Sequence, residues 1–160
     1  MKNILAACLL SLCTLTAFGQ SDADTKAVNE VLDNIYKMAS EANFEGYFGL
    51  YTPDAIFLGT DATERWTMDE FKGYAKASFD RGRGWTYIPT ERHVYFSADG
   101  NSAWFDERLD NEGFGECRGT GALVKVEGVW KVSQYNLTVP IPNDIIRNVV
   151  GQIREHLGEN

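Results

Sequence analysis

The sequence predicts an α+β fold, and three features carry this prediction. Apolar residues recur at helical spacing in the first half of the chain, strand-like segments fill residues 85–139, and one further amphipathic stripe follows them. Helices and strands are therefore largely segregated along the chain. This order favours the α+β class over a regularly alternating α/β fold.

Two helices are expected before the first strand. The longer one runs from about Asp22 to Glu41, because its apolar residues recur every three or four positions and so share one face. A shorter helical stretch over residues 44–51 is expected to end at Pro53. Residues 55–58 then read as a short strand that ends at a glycine.

A third helix is predicted to begin at a capping box. The Thr67 hydroxyl can accept a hydrogen bond from the Glu70 amide, while the Glu70 side chain reaches back to the Thr67 amide. Phe71 and Tyr74 lie on the inner side of this helix. Two glycines in residues 81–84 end it.

The strand region contains two hairpin signals, Asp99-Gly100 and Glu127-Gly128, with a looser connection over residues 111–115. Two prolines end the last strand. Residues 143–160 are predicted to form a C-terminal amphipathic helix, packed either on the domain or on a partner chain.

The first hairpin has a register that its side chains specify. A two-residue turn at Asp99-Gly100 places His93 opposite Asp106 and Glu91 opposite Arg108, whereas a slip by one would oppose Glu91 to Glu107. One face then carries His93, Tyr95, Trp104 and Asp106, and the other carries Arg92, Val94, Phe105 and Glu107. The sequence leaves open which of these faces lines the interior.

The second hairpin suggests a polar cavity wall. A two-residue turn at Glu127-Gly128 would pair Gly121 with Gln134 and Gly119 with Asn136. Because a glycine fills no space above the sheet, Gln134 and Asn136 are expected to point into a cavity. A bulged turn would change these partners.

Residues 1–19 are predicted to be a signal peptide, because Lys2, an apolar run and the small-x-small segment Ala17-Phe18-Gly19 occur in that order. A retained membrane anchor is an alternative, although the run is shorter than the roughly 20 residues that span a bilayer. A lipoprotein is another, with Cys8 as the lipidated residue. We therefore expect a periplasmic or secreted protein with no stable membrane insertion after cleavage.

Composition excludes several classes of partner. A net charge of −8 without a basic run argues against nucleic acid and anionic membranes. The two histidines are far apart and form no ligand-spaced cluster, so neither a metal nor another cofactor is expected. Cleavage would leave Cys117 as the one cysteine, so the mature domain would rely on a hydrophobic core.

The closing strands carry a resemblance to a known family. Arg118-Gly119-Thr120-Gly121-Ala122-Leu123, the segment Gly-Val-Trp-Lys-Val from 128 and Gln134-Tyr135-Asn136-Leu137 are similar to the last hairpin of SnoaL-like proteins. Residues 103–107 also look like the preceding strand of that group. The resemblance covers about Thr25 to Pro142, so residues 20–142 are interpreted as a SnoaL-like domain of the nuclear-transport-factor-two-like superfamily.

The resemblance implies a cone in which helices pack in the concavity of a strongly curved, mostly antiparallel sheet around one pocket. It also implies a small-molecule ligand, a homodimer formed through the sheet, and isomerase, cyclase or dehydratase chemistry without a cofactor in some relatives. Many relatives have a histidine near the end of the last strand. This chain has Asn136 there, which removes an obvious general base.

His93 and Asp106 are the candidate catalytic residues, because a carboxylate can orient an imidazole for acid–base catalysis. A cross-strand surface pair is the alternative interpretation. Candidate ligand-binding residues are aromatic or polar: Trp66, Tyr87, Trp104, Arg118, Gln134 and Asn136. The aromatic residues could instead belong to the core, and Arg118 could pair with an acid on the outer sheet.

Three functions remain open at this point. The chain could be a cofactor-independent enzyme acting on a small organic molecule, or a periplasmic binding or accessory module with the same pocket and no turnover. Alternatively, the pocket could be vestigial and the sheet could serve oligomerisation.

Overall fold

The computed structural model describes residues 22–159. Two helices come first, two strands and a third helix come next, four long strands follow, and a last helix comes after them. The elements in chain order are α1 Asp22–Ser40, α2 Phe44–Phe48, β1 Tyr51–Leu58, β2 Arg65–Thr67, α3 Met68–Phe79, β3 Ile88–Phe96, β4 Ser102–Asn111, β5 Gly115–Val126, β6 Val129–Thr138 and α4 Ile146–Leu157.

The six strands form one sheet in the order β2-β1-β6-β5-β4-β3. All neighbours are antiparallel except β1 and β6, which are parallel. The chain therefore has the predicted α+β fold, with a mostly antiparallel sheet and helices packed in its concavity. No helix within residues 22–159 combines the length and hydrophobicity that a membrane crossing requires.

The core lies between the inner face of the sheet and helices α1 to α3. Helix α1 buries one side, including Val28, Leu32 and Ala39, because its apolar residues follow the helical period. Leu109, Leu123 and other strand residues face them from the sheet. Cys117 is also fully buried in this core and forms no disulfide.

Helix α3 begins as the sequence predicts. The Thr67 hydroxyl accepts a hydrogen bond from the Glu70 amide, and the Glu70 carboxylate accepts one from the Thr67 amide. This capping box fixes where the chain turns from β2 into α3. It therefore sets the positions of Trp66, just before the cap, and Phe71, just after it.

The first hairpin has the predicted register. His93 pairs with Asp106, Glu91 with Arg108, and Tyr95 with Trp104. Burial now distinguishes the two faces, because Phe105 and Glu107 are buried while Trp104 is half exposed. The face that carries His93 and Asp106 is thus the outer one.

The second hairpin follows the prediction only near its turn. Leu123 pairs with Val132 as expected, but a bulge in β6 at Ser133 shifts every pair beyond it. Gly121 pairs with Tyr135 and Gly119 with Leu137, so the expected pairings with Gln134 and Asn136 were wrong. The extra residue turns both polar side chains to the outer face.

Two boundaries differ from the sequence prediction. Strand β1 begins at Tyr51, so Pro53 lies inside a strand near the sheet edge rather than at the end of a helix. Helix α4 begins at Ile146, and among its residues, all of which are described, none is buried. Its apolar stripe therefore stays accessible in the monomer.

Candidate functional site

One pocket of about 260 Å³ opens between the sheet, helix α3 and two loops, and it is mostly aromatic. Its lining consists of Phe57, Gly59, Thr60, Glu64, Trp66, Phe71, Tyr74, Trp85, Tyr87, Phe114 and Leu137. Such concave apolar sites with a few polar groups are the usual form of small-molecule pockets.

Different parts of the fold bring the aromatic rings together. Phe57 from β1 pairs with Trp66 from β2 across the edge of the sheet, which puts both side chains on the inner face. Phe71 is buried on α3, and Trp85 precedes β3. The pocket thus depends on the edge hairpin β1–β2 and on the capping box that joins it to α3.

Ring stacking holds this wall in place. The Trp66 ring stacks on Tyr74 with centroids 4.6 Å apart, and Phe57 stacks on Phe71 at 4.0 Å. Phe71 also lies nearly parallel to Trp85 at 5.9 Å. Stacked rings of this kind lose little freedom when a ligand binds, so the pocket is preorganised.

Two aromatic rings at the mouth remain largely uncovered. Tyr74 on α3 is 59% exposed, and Phe114 in the turn between β4 and β5 is 55% exposed. Large apolar side chains that are exposed beside a cavity mark a binding site more often than isolated surface residues do. These two rings therefore extend the apolar surface from the pocket to its rim.

The polar groups of the pocket are few. Glu64 is its carboxylate, and Tyr74 and Tyr87 supply phenols. Burial, together with smaller contributions from Cys117, Tyr74 and Glu64, raises the pKa of Tyr87 to about 12. The Tyr87 phenol therefore keeps its proton at neutral pH and can donate a hydrogen bond.

Behind the pocket lies a buried polar network that links α1 to the sheet. The Tyr36 hydroxyl donates to Glu107 Oε1 and lies 2.7 Å from the Tyr135 hydroxyl. Arg92 Nε donates to Glu107 Oε2 at 2.7 Å, and Arg92 Nη1 donates to Asp33 at 2.8 Å. Since the Glu107 side chain has no exposed surface, these partners offset part of the cost of burying its charge.

Gly119 makes room for this network rather than for a polar cavity. A methyl group at Gly119 would lie 2.6 Å from the Tyr135 hydroxyl and 2.8 Å from Glu107 Oε1. Phe57 separates the network from the aromatic pocket, because its ring lies parallel to that of Tyr135 at 5.7 Å. The network thus forms the support of the pocket floor.

The predicted catalytic pair lies on the other face of the sheet. His93 and Asp106 oppose each other on β3 and β4, but the His93 side chain is half exposed, and its Nε2 contacts Glu91 Oε1 at 3.1 Å. Both residues line a second pocket of about 310 Å³ on the outer face, together with Arg108 and Arg118. They are therefore not part of the aromatic pocket.

The structure divides the predicted ligand-binding residues between the two faces. Trp66 and Tyr87 line the aromatic pocket, and Trp85 joins them there. Trp104 and Arg118 are exposed on the outer face, as is Gln134, and Asn136 is half-buried beside them. Within residues 22–159, no group of three His, Cys, Asp or Glu side chains is arranged to hold a metal ion.

The family relationship follows from this chain's match to a family model. The model for the SnoaL-like domain matches residues 28–142, which cover β1 to β6, α2, α3 and most of α1. The chain belongs to the SnoaL-like family. No curated protein matches this SnoaL-like chain.

Solved structures agree with the family assignment at the level of the fold. An NTF2-like protein of unknown function from Pseudomonas putida is 12% identical, with a TM-score of 0.64 over 79% of this SnoaL-like chain and 93% of its own. A protein with a cystatin-like fold from Nostoc punctiforme is 13% identical, with a TM-score of 0.61 over 75% and 93% of the two chains. A candidate dehydratase of the NTF2-like family from Streptomyces avermitilis is 14% identical. Its TM-score is 0.63, and the match covers 76% of this chain and 99% of that protein.

Sequence reasoning missed several pocket residues. Glu64 and Phe114 lie in turns, where no periodicity indicates the direction of a side chain, and Phe57 was assigned only to a short strand. Phe71 and Tyr74 were placed on the inner side of α3 without being assigned to a pocket. One signal was available in the sequence. Aromatic residues are dense between Phe57 and Tyr87, and there are more of them than a single helix face can bury.

Proposed function

We propose that this SnoaL-like chain binds a small organic molecule in its aromatic pocket. The observation that carries the proposal is the composition of the lining, in which seven of eleven residues are aromatic. A flat or compact apolar ligand of drug-fragment size fits a pocket of about 260 Å³. The exposed rings of Tyr74 and Phe114 extend the contact surface at the mouth.

A thermal-shift screen of the purified protein tests this proposal. The library contains cyclic ketones, organic acids and organic ammonium compounds of one or two rings. At least one class is expected to raise the melting temperature, and the increase should disappear in Trp66→Ala. The proposal fails if no compound stabilises the protein, or if the stabilisation persists in Trp66→Ala.

A second candidate function, proton transfer in the same pocket, is favoured by the presence of Glu64 beside Tyr87. The Tyr87 phenol would donate a hydrogen bond to a substrate carbonyl, while the Glu64 carboxylate would accept a proton from the adjacent carbon. This would be chemistry of the isomerase or dehydratase type without a cofactor.

Exchange of ketone α-protons in heavy water, followed by NMR, tests this second function. Catalysed exchange that depends on Glu64 should be lost in Glu64→Gln and retained in His93→Ala. Exchange at the uncatalysed rate, or exchange that requires His93, contradicts it. In the latter case the outer-face pair would regain its predicted catalytic role.

We propose that the protein is exported, on the basis of residues 1–19. A mature chain that begins at Gln20 in the periplasm or medium supports this, and its mass identifies the cleavage point. Retention of the full chain in the membrane, or lipid attached to Cys8, would favour one of the two anchored alternatives.

We also propose that the protein forms a homodimer through the outer face of the sheet. Tyr95 and Trp104 stack there with centroids 5.9 Å apart, and each is about half exposed. The apolar stripe of α4 is also unburied in the monomer. A dimer would cover apolar surface that a monomeric protein seldom leaves open.

A further inference from the structure

The charged side chain that lines the aromatic pocket is acidic. Of the described residues that line it, none is Lys, Arg or His, and Glu64 supplies a carboxylate. An anionic ligand would therefore enter a site with negative charge and no compensating cation. A cationic ligand would find both a counter-charge and the negative faces of aromatic rings.

Glu64 is held at the pocket wall by the turn between β1 and β2. The Gly59 amide donates to the Glu64 carbonyl at 2.9 Å, and the Asp61 amide donates to Glu64 Oε2 at 3.1 Å. The other carboxylate oxygen, Oε1, has no hydrogen-bond partner among residues 22–159. One oxygen thus fixes the side chain, and the other remains available to a ligand.

Gly59 permits this placement. A methyl group added to Gly59 would overlap Glu64 Oε2 and would lie 2.9 Å from Glu64 Cβ. Any larger residue at position 59 would therefore push the carboxylate from the position it occupies beside the pocket. The glycine at the end of β1 and the acid five residues later act together to present the charge.

Aromatic rings surround the space next to this carboxylate. Trp66, Trp85 and Tyr87 are partly buried in the pocket, and Tyr74 and Phe114 are more exposed, at its mouth. Rings of this kind attract a cation through their electron-rich faces, with tryptophan the most effective. A carboxylate among several rings is the arrangement that recognises an ammonium group.

We propose that the pocket binds an organic ammonium ion, with its cationic group between the aromatic rings and the Glu64 carboxylate. This inference rests on the proposed ligand-binding function and specifies its ligand class. The pocket favours a methylated ammonium over a primary amine. A primary ammonium brings three N–H donors that need acceptors, whereas a methylated one needs few or none and buries its methyl groups against the rings.

Isothermal titration of the full protein with choline and with 3,3-dimethylbutan-1-ol tests the proposal. The second compound is the neutral carbon analogue of choline and has nearly the same shape. Choline is expected to bind about tenfold more tightly, the difference expected from cation–π and carboxylate contacts. Equal or tighter binding of the neutral analogue overturns the inference, although it leaves the pocket a binding site.

Two variants identify the source of the preference. Glu64→Gln removes the charge, and Gly59→Ala retains the charge but displaces it, so both should reduce the preference for choline to near unity. Glu41→Gln, which removes an equal charge from an exposed position outside the pocket, should leave it unchanged. An undiminished preference in Glu64→Gln contradicts the proposed role of Glu64.

If neutral or anionic compounds bind the pocket in a Trp66-dependent manner and choline does not, only the ammonium inference is overturned. Absence of binding by choline and by every compound of the screen overturns both.

Discussion

The rings of Trp66 and Tyr74 stack at a centroid distance of 4.6 Å and an interplanar angle of 29°, which joins strand β2 to helix α3 at the wall of the pocket. Tyr95 and Trp104 form a similar stack at 5.9 Å on the opposite face of the sheet. Residues 22–159 therefore contain two stacked Tyr–Trp pairs, of which one lines the pocket and the other does not.

Tyr74→Ala should abolish or strongly reduce ligand-induced stabilisation while it changes the free energy of unfolding by about 1 kcal/mol or less, because the ring is largely exposed. Thermal shift with any ligand identified by the screen measures the first effect, and urea unfolding measures the second. Tyr95→Ala is the matched control, since it removes the same side chain from the other pair. Equal loss of ligand response in both variants would argue against the aromatic pocket as the site.

Gly119→Ala should lower the free energy of unfolding by about 1–3 kcal/mol, because its methyl group would collide with the Tyr135 hydroxyl and with Glu107. Gly73→Ala on α3 is the control. A methyl group there meets no atom within 4 Å, so the helix should become more stable by about 0.5–1 kcal/mol. Urea unfolding of both variants checks this, and a neutral effect of Gly119→Ala would show that the network is not tightly packed.

Glu107 should make the stability of the protein depend on pH. Burial raises the pKa of this carboxyl above its usual 4.5, although the Arg92 guanidinium opposes the shift. An acid with a higher pKa in the folded state contributes stability that is full below the ordinary pKa and is lost as pH rises through the folded pKa. The difference in unfolding free energy between the wild type and Glu107→Gln should thus fall as pH increases above 4.5.

Urea unfolding of both proteins over a series of pH values measures this difference. Parallel stability curves would mean that Glu107 does not change its pKa on folding. A difference that rises with pH would mean that the Arg92 ion pair outweighs the cost of burial.

Trp104→Glu should shift a homodimer toward monomer, because it places a charge in the exposed apolar patch on the outer face of the sheet. Light scattering coupled to size-exclusion chromatography gives the mass directly. The mutation lies outside the pocket, so ligand binding should persist unless it depends on the dimer. A wild-type protein that is monomeric at all concentrations, or a variant that remains dimeric, contradicts the proposed interface.

Most of the fold could be predicted from the sequence, since its signals are local. The apolar period of α1, the capping box at Thr67 and the turn at Asp99-Gly100 each depend on residues close in the chain. The register of the first hairpin was also confirmed, because charged residues opposed across the strands exclude a slip.

The bulge at Ser133 could not be predicted from the sequence. A single extra residue in β6 reverses the faces of Gln134 and Tyr135, and neither residue type by itself indicates the insertion. The inward tyrosine is favoured because Gly119 leaves room for its hydroxyl beside Glu107 and Tyr36. This preference depends on a contact with α1, far away in the sequence.

The candidate site could be predicted only in part for the same reason. Trp66 and Tyr87 could be proposed as ligand-binding residues because they are aromatic. Glu64 enters the pocket through the geometry of a turn around Gly59, and Phe114 enters it from a distant turn. Only the assembled sheet brings these residues together.

The four tryptophan indole N–H groups provide the most direct test of the proposed site, because they report on different parts of the fold. Trp66 and Trp85 line the pocket, Trp104 lies on the outer face, and the Trp130 indole donates to Asp24 at 3.0 Å. In ¹⁵N-labelled protein titrated with choline, or with a ligand from the screen, the Trp66 and Trp85 signals should shift and saturate together while the other two stay nearly unchanged. Saturable shifts confined to Trp104, or no saturable shift at any indole with any compound, would contradict the assignment of the aromatic pocket as the binding site.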